Sequence, residues 1–260
     1  MARLADECGL GAASIAVRLP AGNGRAAFDL GSDRSIYPAS MIKTPIAIVL
    51  ARLVAGGSCR LDDEVVITAE NMTANDAPSP FLAGYRARLG ELATAMLSFS
   101  DNVATNVLID VLGRQALTTA CQELGLSRTA VHRKLSGDLP LIDDPQASGR
   151  NAHPPSDAAR AFELVAAEAR GEQRWVYDAL RAQYFNGKLS RGWEAADVFA
   201  HKTGDTDEVS HDGGILTLPD GRTFVVVVYT DVVSDPQSDA AFAAFARGLR
   251  PLLTAFSPEP

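Results

Sequence analysis

Ser40-Met41-Ile42-Lys43 sets a hydroxyl and an amine three residues apart. At the start of a helix the two lie on one face about a turn apart. The helix N-terminus also brings partial positive charge and free N–H groups beside Ser40. A serine hydroxyl becomes a useful nucleophile only when a base takes its proton and dipoles stabilise the oxyanion that follows. Lys43 is flanked by Ile42 and by the apolar run from Ile46 to Leu50, and desolvation depresses a lysine's pKa and leaves a neutral amine to act as that base. Alone the pair is weak, since a chain of this length meets a Ser-x-x-Lys by chance about every time or two. Ser100-Asp101-Asn102 and Lys202-Thr203-Gly204 follow in order, and each is expected only a few times per roughly hundred chains.

The added residues complete a plausible acyl-transfer site. Ser100 supplies a second hydroxyl that passes a proton to a leaving nitrogen or oxygen. Asn102 offers an amide that binds substrate and holds Lys43. Lys202 adds a cationic field, Thr203 a hydroxyl donor for a substrate carboxylate, and Gly204 room for substrate backbone. The N–H groups of Ser40 and Asp205 are the natural oxyanion pair. Singly, each has an ordinary reading: a solvated helix lysine, a Ser/Asp/Asn helix cap, a lysine on a strand. Together and in this order they predict an active-site serine.

Ser100-Asp101-Asn102-Val103-Ala104-Thr105-Asn106-Val107-Leu108 and His201-Lys202-Thr203-Gly204 resemble class A β-lactamases and the wider group of β-lactamase-like serine hydrolases, in which the three motifs recur. The resemblance runs from the hairpin near Ser14 to the last helix. It implies an α/β (α+β) fold, an antiparallel sheet of N- and C-terminal strands flanked by helices with an inserted helical lobe. It further implies an acyl-enzyme on Ser40, a small-molecule substrate (β-lactam, peptide or ester), and no metal or organic cofactor. D-Ala-D-Ala peptidase or esterase activity on the same fold, and a β-lactam sensor that stays acylated, are the alternatives.

One family feature is missing. Class A β-lactamases carry a glutamate between the second and third motifs, after an Arg-aromatic pair, which activates the deacylating water. Placing that arginine on Arg133 puts Leu135 at the glutamate's position, and placing it on Lys134 puts Ser136 there. Counting back from Pro155 points to Asp138 as a possible deacylation acid/base. Asp205 also departs from the small neutral residue usual after the glycine, and its charge would repel an anionic substrate group. His211 and Asp212 are expected to form a polar pair, structural more than catalytic. His132 and His153 lie in or beside the loop without an evident partner, and no metal-ligand spacing links them.

The elements that must position these groups are legible in outline. Ser14–Leu19 and Arg25–Leu30 read as a hairpin across Pro20 to Gly24. Ser40 to Val54 reads as a helix apolar nearly all round, hence central and buried. Leu89 to Leu97, Val103 to Leu112 and Leu117 to Leu124 read as helices. Ser136 to Pro155 is an aperiodic loop of a length that is usually functional or disordered, and Ser156 is expected to cap a helix to about Arg170. Val198–Thr203, Gly213–Leu218 and Thr223–Thr230 read as strands, the last two joined by Pro219-Asp220-Gly221. A final helix runs Ala240 to Phe256. One catalytic domain is expected, with a sheet lobe of about 1–38 and 195–260 and a helical lobe of about 39–194.

Composition excludes other classes. A net charge of −8 and a pI near 5.0 argue against nucleic-acid binding, which favours a basic face. No uninterrupted apolar window reaches the ~18 residues a membrane helix needs. The three cysteines, Cys8, Cys59 and Cys121, form no Cys-x-x-Cys and read as free thiols. Asp6 and Glu7 stand where a signal peptide needs a basic and then apolar run. The expectation is a cytoplasmic protein or an exported one with its leader removed, and a monomer.

Overall fold

Both ends of the chain meet in one sheet. The computed structural model describes residues 1–19, 25–136 and 144–255. Strands β1 (Ser14–Leu19) and β2 (Arg25–Leu30) come from the N-terminus, and β5 (Val198–Asp205), β6 (Ser210–Thr217) and β7 (Thr223–Thr230) from the C-terminal third. They form a five-stranded sheet in the order β2-β1-β7-β6-β5, antiparallel throughout. Val225, Val227 and Tyr229 face one apolar cluster while Phe224, Val226 and Val228 face another, the alternation a strand imposes. Both faces of β7 are therefore buried, which explains a near-continuous apolar run where a half-exposed strand would alternate.

One face is covered by α8 (Pro236–Ala255) and the short α1 (Ala2–Glu7). α8 contributes Phe242, Phe245, Leu249 and Leu253, and Pro251 lies inside its last turns. The other face packs on α6 (Pro155–Ala167), which touches β1, β6 and β7. Beyond α6 lies α2 (Lys43–Ala55), buried from Lys43 to Ala51 and in contact with α3 (Leu89–Ser98), α4 (Asn102–Leu112) and α5 (Arg114–Glu123). A helix apolar on every side has no solvent face to offer, so neighbours surround it. Among the described residues no helix is long and apolar enough to cross a membrane.

Several expectations need correction. The segment expected as one helix from Ser40 starts as a 3-10 turn, Ala39–Ile42, before α2 begins at Lys43. Ser156 does not cap α6. The cap position is Pro154, with Pro155 in the first helical turn, where its missing N–H costs nothing, and the Ser156 N–H donates instead to Ser32 O. The polar stretch after Asp62 holds β3 (Glu64–Val66), paired with β4 (Arg86–Arg88). α7 (Trp175–Arg181) precedes the three C-terminal strands and packs on α3 and β5.

Candidate active site

Ser100-Asp101-Asn102 divides its labour. The Asp101 carboxylate accepts from Ala104 N at 2.8 Å and caps α4, while the residues on either side reach Lys43. Lys43 Nζ lies 2.9 Å from Ser40 Oγ, 3.0 Å from Ser100 Oγ, 2.6 Å from Ser100 O and 2.7 Å from Asn102 Oδ1. The carbonyl of Ser100 and the amide oxygen of Asn102 can only accept. They occupy both N–H groups of a neutral amine and turn its lone pair toward the two hydroxyls. Full burial, reinforced by the charge of Lys202, holds the Lys43 pKa well below its usual 10.5. Asn102 is itself fixed, its Nδ2 donating to Ala74 O at 2.9 Å.

Backbone strain sits at the same place. Ala39 at φ 46° and Ser100 at φ 56° are the non-glycine residues with positive φ among those described. Such conformations cost on the order of 1–3 kcal/mol each and persist where the surroundings over-determine them. Here they aim Ser40 and Ser100 at one amine.

β5 forms the opposite wall. Lys202 is fully buried, donates to Thr203 O at 2.9 Å, and desolvation brings its pKa down to about 7. A Cβ at Gly204 would stand 2.9 Å from Pro38 O and 3.2 Å from Met41 N. The glycine thus seats β5 against the turn carrying Ser40, where the sequence suggested room for substrate. Ser40, Ser100, Asn102, Thr203 and Asp205 line one cavity of about 1320 Å³.

Asp205 does not stand as a bare repelling charge. Its carboxylate pairs with Lys188 Nζ, which also donates to His211 O at 3.1 Å. The expected His211–Asp212 pair does not form, because neighbours on a strand point to opposite faces. Asp212 instead accepts from His201 Nδ1 at 2.8 Å and from Leu189 N at 3.0 Å. His211 donates through Nε2 to Tyr37 O at 2.7 Å and accepts Thr230 N at Nδ1. Burial lowers its pKa to about 4. His153 contacts Thr129 Oγ1 at 2.7 Å and is driven down to about 3 by burial. His132 Nδ1 lies 3.2 Å from Ser148 Oγ.

Leu135 is buried, lines the cavity of Ser40, and is clamped by Asn106. Its N–H donates to Asn106 Oδ1 at 2.6 Å and its carbonyl accepts from Asn106 Nδ2 at 3.0 Å. Asn151 holds the preceding turn, accepting from His132 N and Arg133 N and donating to Arg133 O. Arg114 and Asp144 pair across the loop at 2.7 Å, with Lys134 N also on Asp144. None of these positioning residues was singled out from sequence. Asn106 stood inside a quoted motif, four after Asn102, which was the one available signal. Ser136 lines the same cavity. Asp138 lies outside the described residues.

A model of the beta-lactamase enzyme family matches residues 3–250. The chain belongs to the beta-lactamase enzyme family. A curated family relative, the extended-spectrum beta-lactamase PER-1 of Pseudomonas aeruginosa, is 26% identical over 210 residues, which span 73% of this chain and 66% of that protein. An ancestral class A beta-lactamase structure superposes with a TM-score of 0.81 at 26% identity, covering 98% of each chain. The structure of PBP-A shares the fold, with a TM-score of 0.79 at 24% identity over 98% of this chain and 97% of that one. The beta-lactamase fold and family of this chain are those of serine hydrolases acting on small molecules.

Proposed function

We propose that this beta-lactamase family member forms an acyl-enzyme on Ser40 with β-lactams and hydrolyses it slowly. The observation that carries the reading is the set of oxygen contacts around Lys43 Nζ, at 2.6–3.0 Å from Ser40, Ser100 and Asn102 in a fully buried setting. Lys43 takes the Ser40 proton as Oγ bonds to the lactam carbonyl carbon. The oxyanion is held by backbone N–H groups of Ser40 and Asp205. Collapse breaks the C–N bond, and the leaving nitrogen takes the Ser100 proton, which Lys43 replaces. Asn102, Lys202 and Thr203 orient the substrate, and Gly204 keeps β5 beside Ser40.

Deacylation needs a second base to activate water. Leu135 occupies the cavity wall with an aliphatic side chain, so the acyl-enzyme waits. Time-resolved intact mass spectrometry with a penicillin tests this. A covalent adduct forms on the wild type, is absent in Ser40→Ala, and decays over minutes or longer. No adduct, together with chromogenic cephalosporin turnover equal to that of Ser40→Ala, would refute the reading.

A further inference from the structure

One cation on the wall of this cleft has no partner among the described residues. Arg133 is half-buried and lines the cavity of Ser40, and among the described residues its guanidinium meets no acid and no hydrogen-bond acceptor. The neighbouring cations are engaged: Lys134 Nζ with Asp110 at 3.0 Å and Arg150 with Glu208 at 2.8 Å. The Arg133 backbone is held on both sides by buried Asn151, so the side chain projects from a rigid base.

Tyr37 lines the same cavity. Its ring is covered by the Arg150 guanidinium, 3.9 Å from the centroid, and its hydroxyl has no hydrogen-bond partner among the described residues. Burial raises the phenol's pKa, opposed by the charges of Arg150 and Arg133, and the group remains a donor at neutral pH. Asp205, Asp207 and Asp239 line the cavity from β5, the turn after it and α8. Asp76 and Glu208 line it as well, and among the described residues Arg133 is the lining cation left without an ion pair.

We propose that Arg133 and Tyr37 form a subsite for a carboxylate on the acyl part of the substrate, with Arg150 bracing the Tyr37 ring. The subsite deepens the acyl-enzyme reading and rests on it for the meaning of the acyl part. Arg133 enters it from the loop, and Tyr37 from the segment just before the turn that carries Ser40. A charge-assisted, two-pronged contact of this kind discriminates by about tenfold or more.

Two activated esters that differ only in a terminal acyl carboxylate against its carboxamide test the subsite, with acylation rates read by mass spectrometry. The carboxylate ester acylates the wild type about tenfold faster. The ratio falls to near unity in Arg133→Gln, is partly kept in Arg133→Lys, and shrinks in Tyr37→Phe. Equal rates in the wild type, or a preference that survives Arg133→Gln, overturn the proposal. In parallel, Ser40→Ala protein is titrated with succinamate and succinamide and followed by NMR. Succinamate shifts signals of Arg133 and Tyr37, and Arg133→Gln abolishes the shifts. Such binding without acylation of the wild type by any ester would sink the acyl-enzyme reading and leave the subsite standing. Acylation without carboxylate preference would sink the subsite alone.

Discussion

At the residue scale, Lys43 and Leu135 set the two halves of the proposed cycle apart. Lys43 is buried among oxygens that suit a neutral amine, which is what proton removal from Ser40 requires. Leu135 offers water nothing. Leu135→Glu would introduce a carboxylate on the same cavity wall, and general-base help is worth roughly 10²–10⁴ in rate when well placed. The expected outcome is an acyl-enzyme lifetime shortened at least tenfold, measured as adduct decay, with acylation changed much less. An unchanged lifetime would mean that position 135 does not reach the deacylating water. The substitution also buries an ionisable group, and raising that carboxyl's pKa toward neutrality leaves the gain largest above neutral pH.

At the scale of elements, the loop that carries Arg133 and Leu135 is held by side chains more than by its own backbone pattern. Asn106 projects from α4 and satisfies both the N–H and the carbonyl of Leu135. Asn151 does the same for Arg133. Buried backbone groups without partners cost about 1–3 kcal/mol each. Asn106→Ala should accordingly lower stability by roughly 2–4 kcal/mol, seen as a reduced denaturant midpoint at unchanged m-value. A loss below about 0.5 kcal/mol would show that water replaces the amide fully. The stretch from Asp144 to Asn151, a described part of the segment read as an aperiodic loop, carries neither helix nor strand. Its anchors were not legible, because an asparagine on a helix and another in a loop carry no sequence mark of meeting. The same holds for β3 and β4, too short to show periodicity and stable only as a pair.

For the whole molecule, burial of histidines ties the fold to pH. His153 and His211 have folded pKa values near 3 and 4, below the ~6.5 of an exposed histidine. Their neutral forms are fully compatible with the fold above pH 6.5. As pH falls below that, the unfolded chain takes up protons that the native state refuses, so stability drops by up to about 1.4 kcal/mol per pH unit per group. Thermal or urea unfolding between pH 6.5 and 4.5 should show this slope. His153→Gln should flatten it, and an identical slope in the variant would assign the acid sensitivity elsewhere.

The strands themselves were readable because their signals are local: short apolar runs bounded by turn residues such as Pro219-Asp220-Gly221. The sequence alone determined the chemical inventory, Ser40, Lys43, Ser100, Asn102, Lys202 and Thr203, because each motif is short and its residue types state their chemistry. Only the tertiary structure decided how that inventory is used. It put Lys43 against a carbonyl 57 residues away, gave Asp205 a lysine partner, split His211 from Asp212, and set Leu135 in the cavity wall. Contacts across such separations are chosen by the packing of whole elements, which no window of sequence contains.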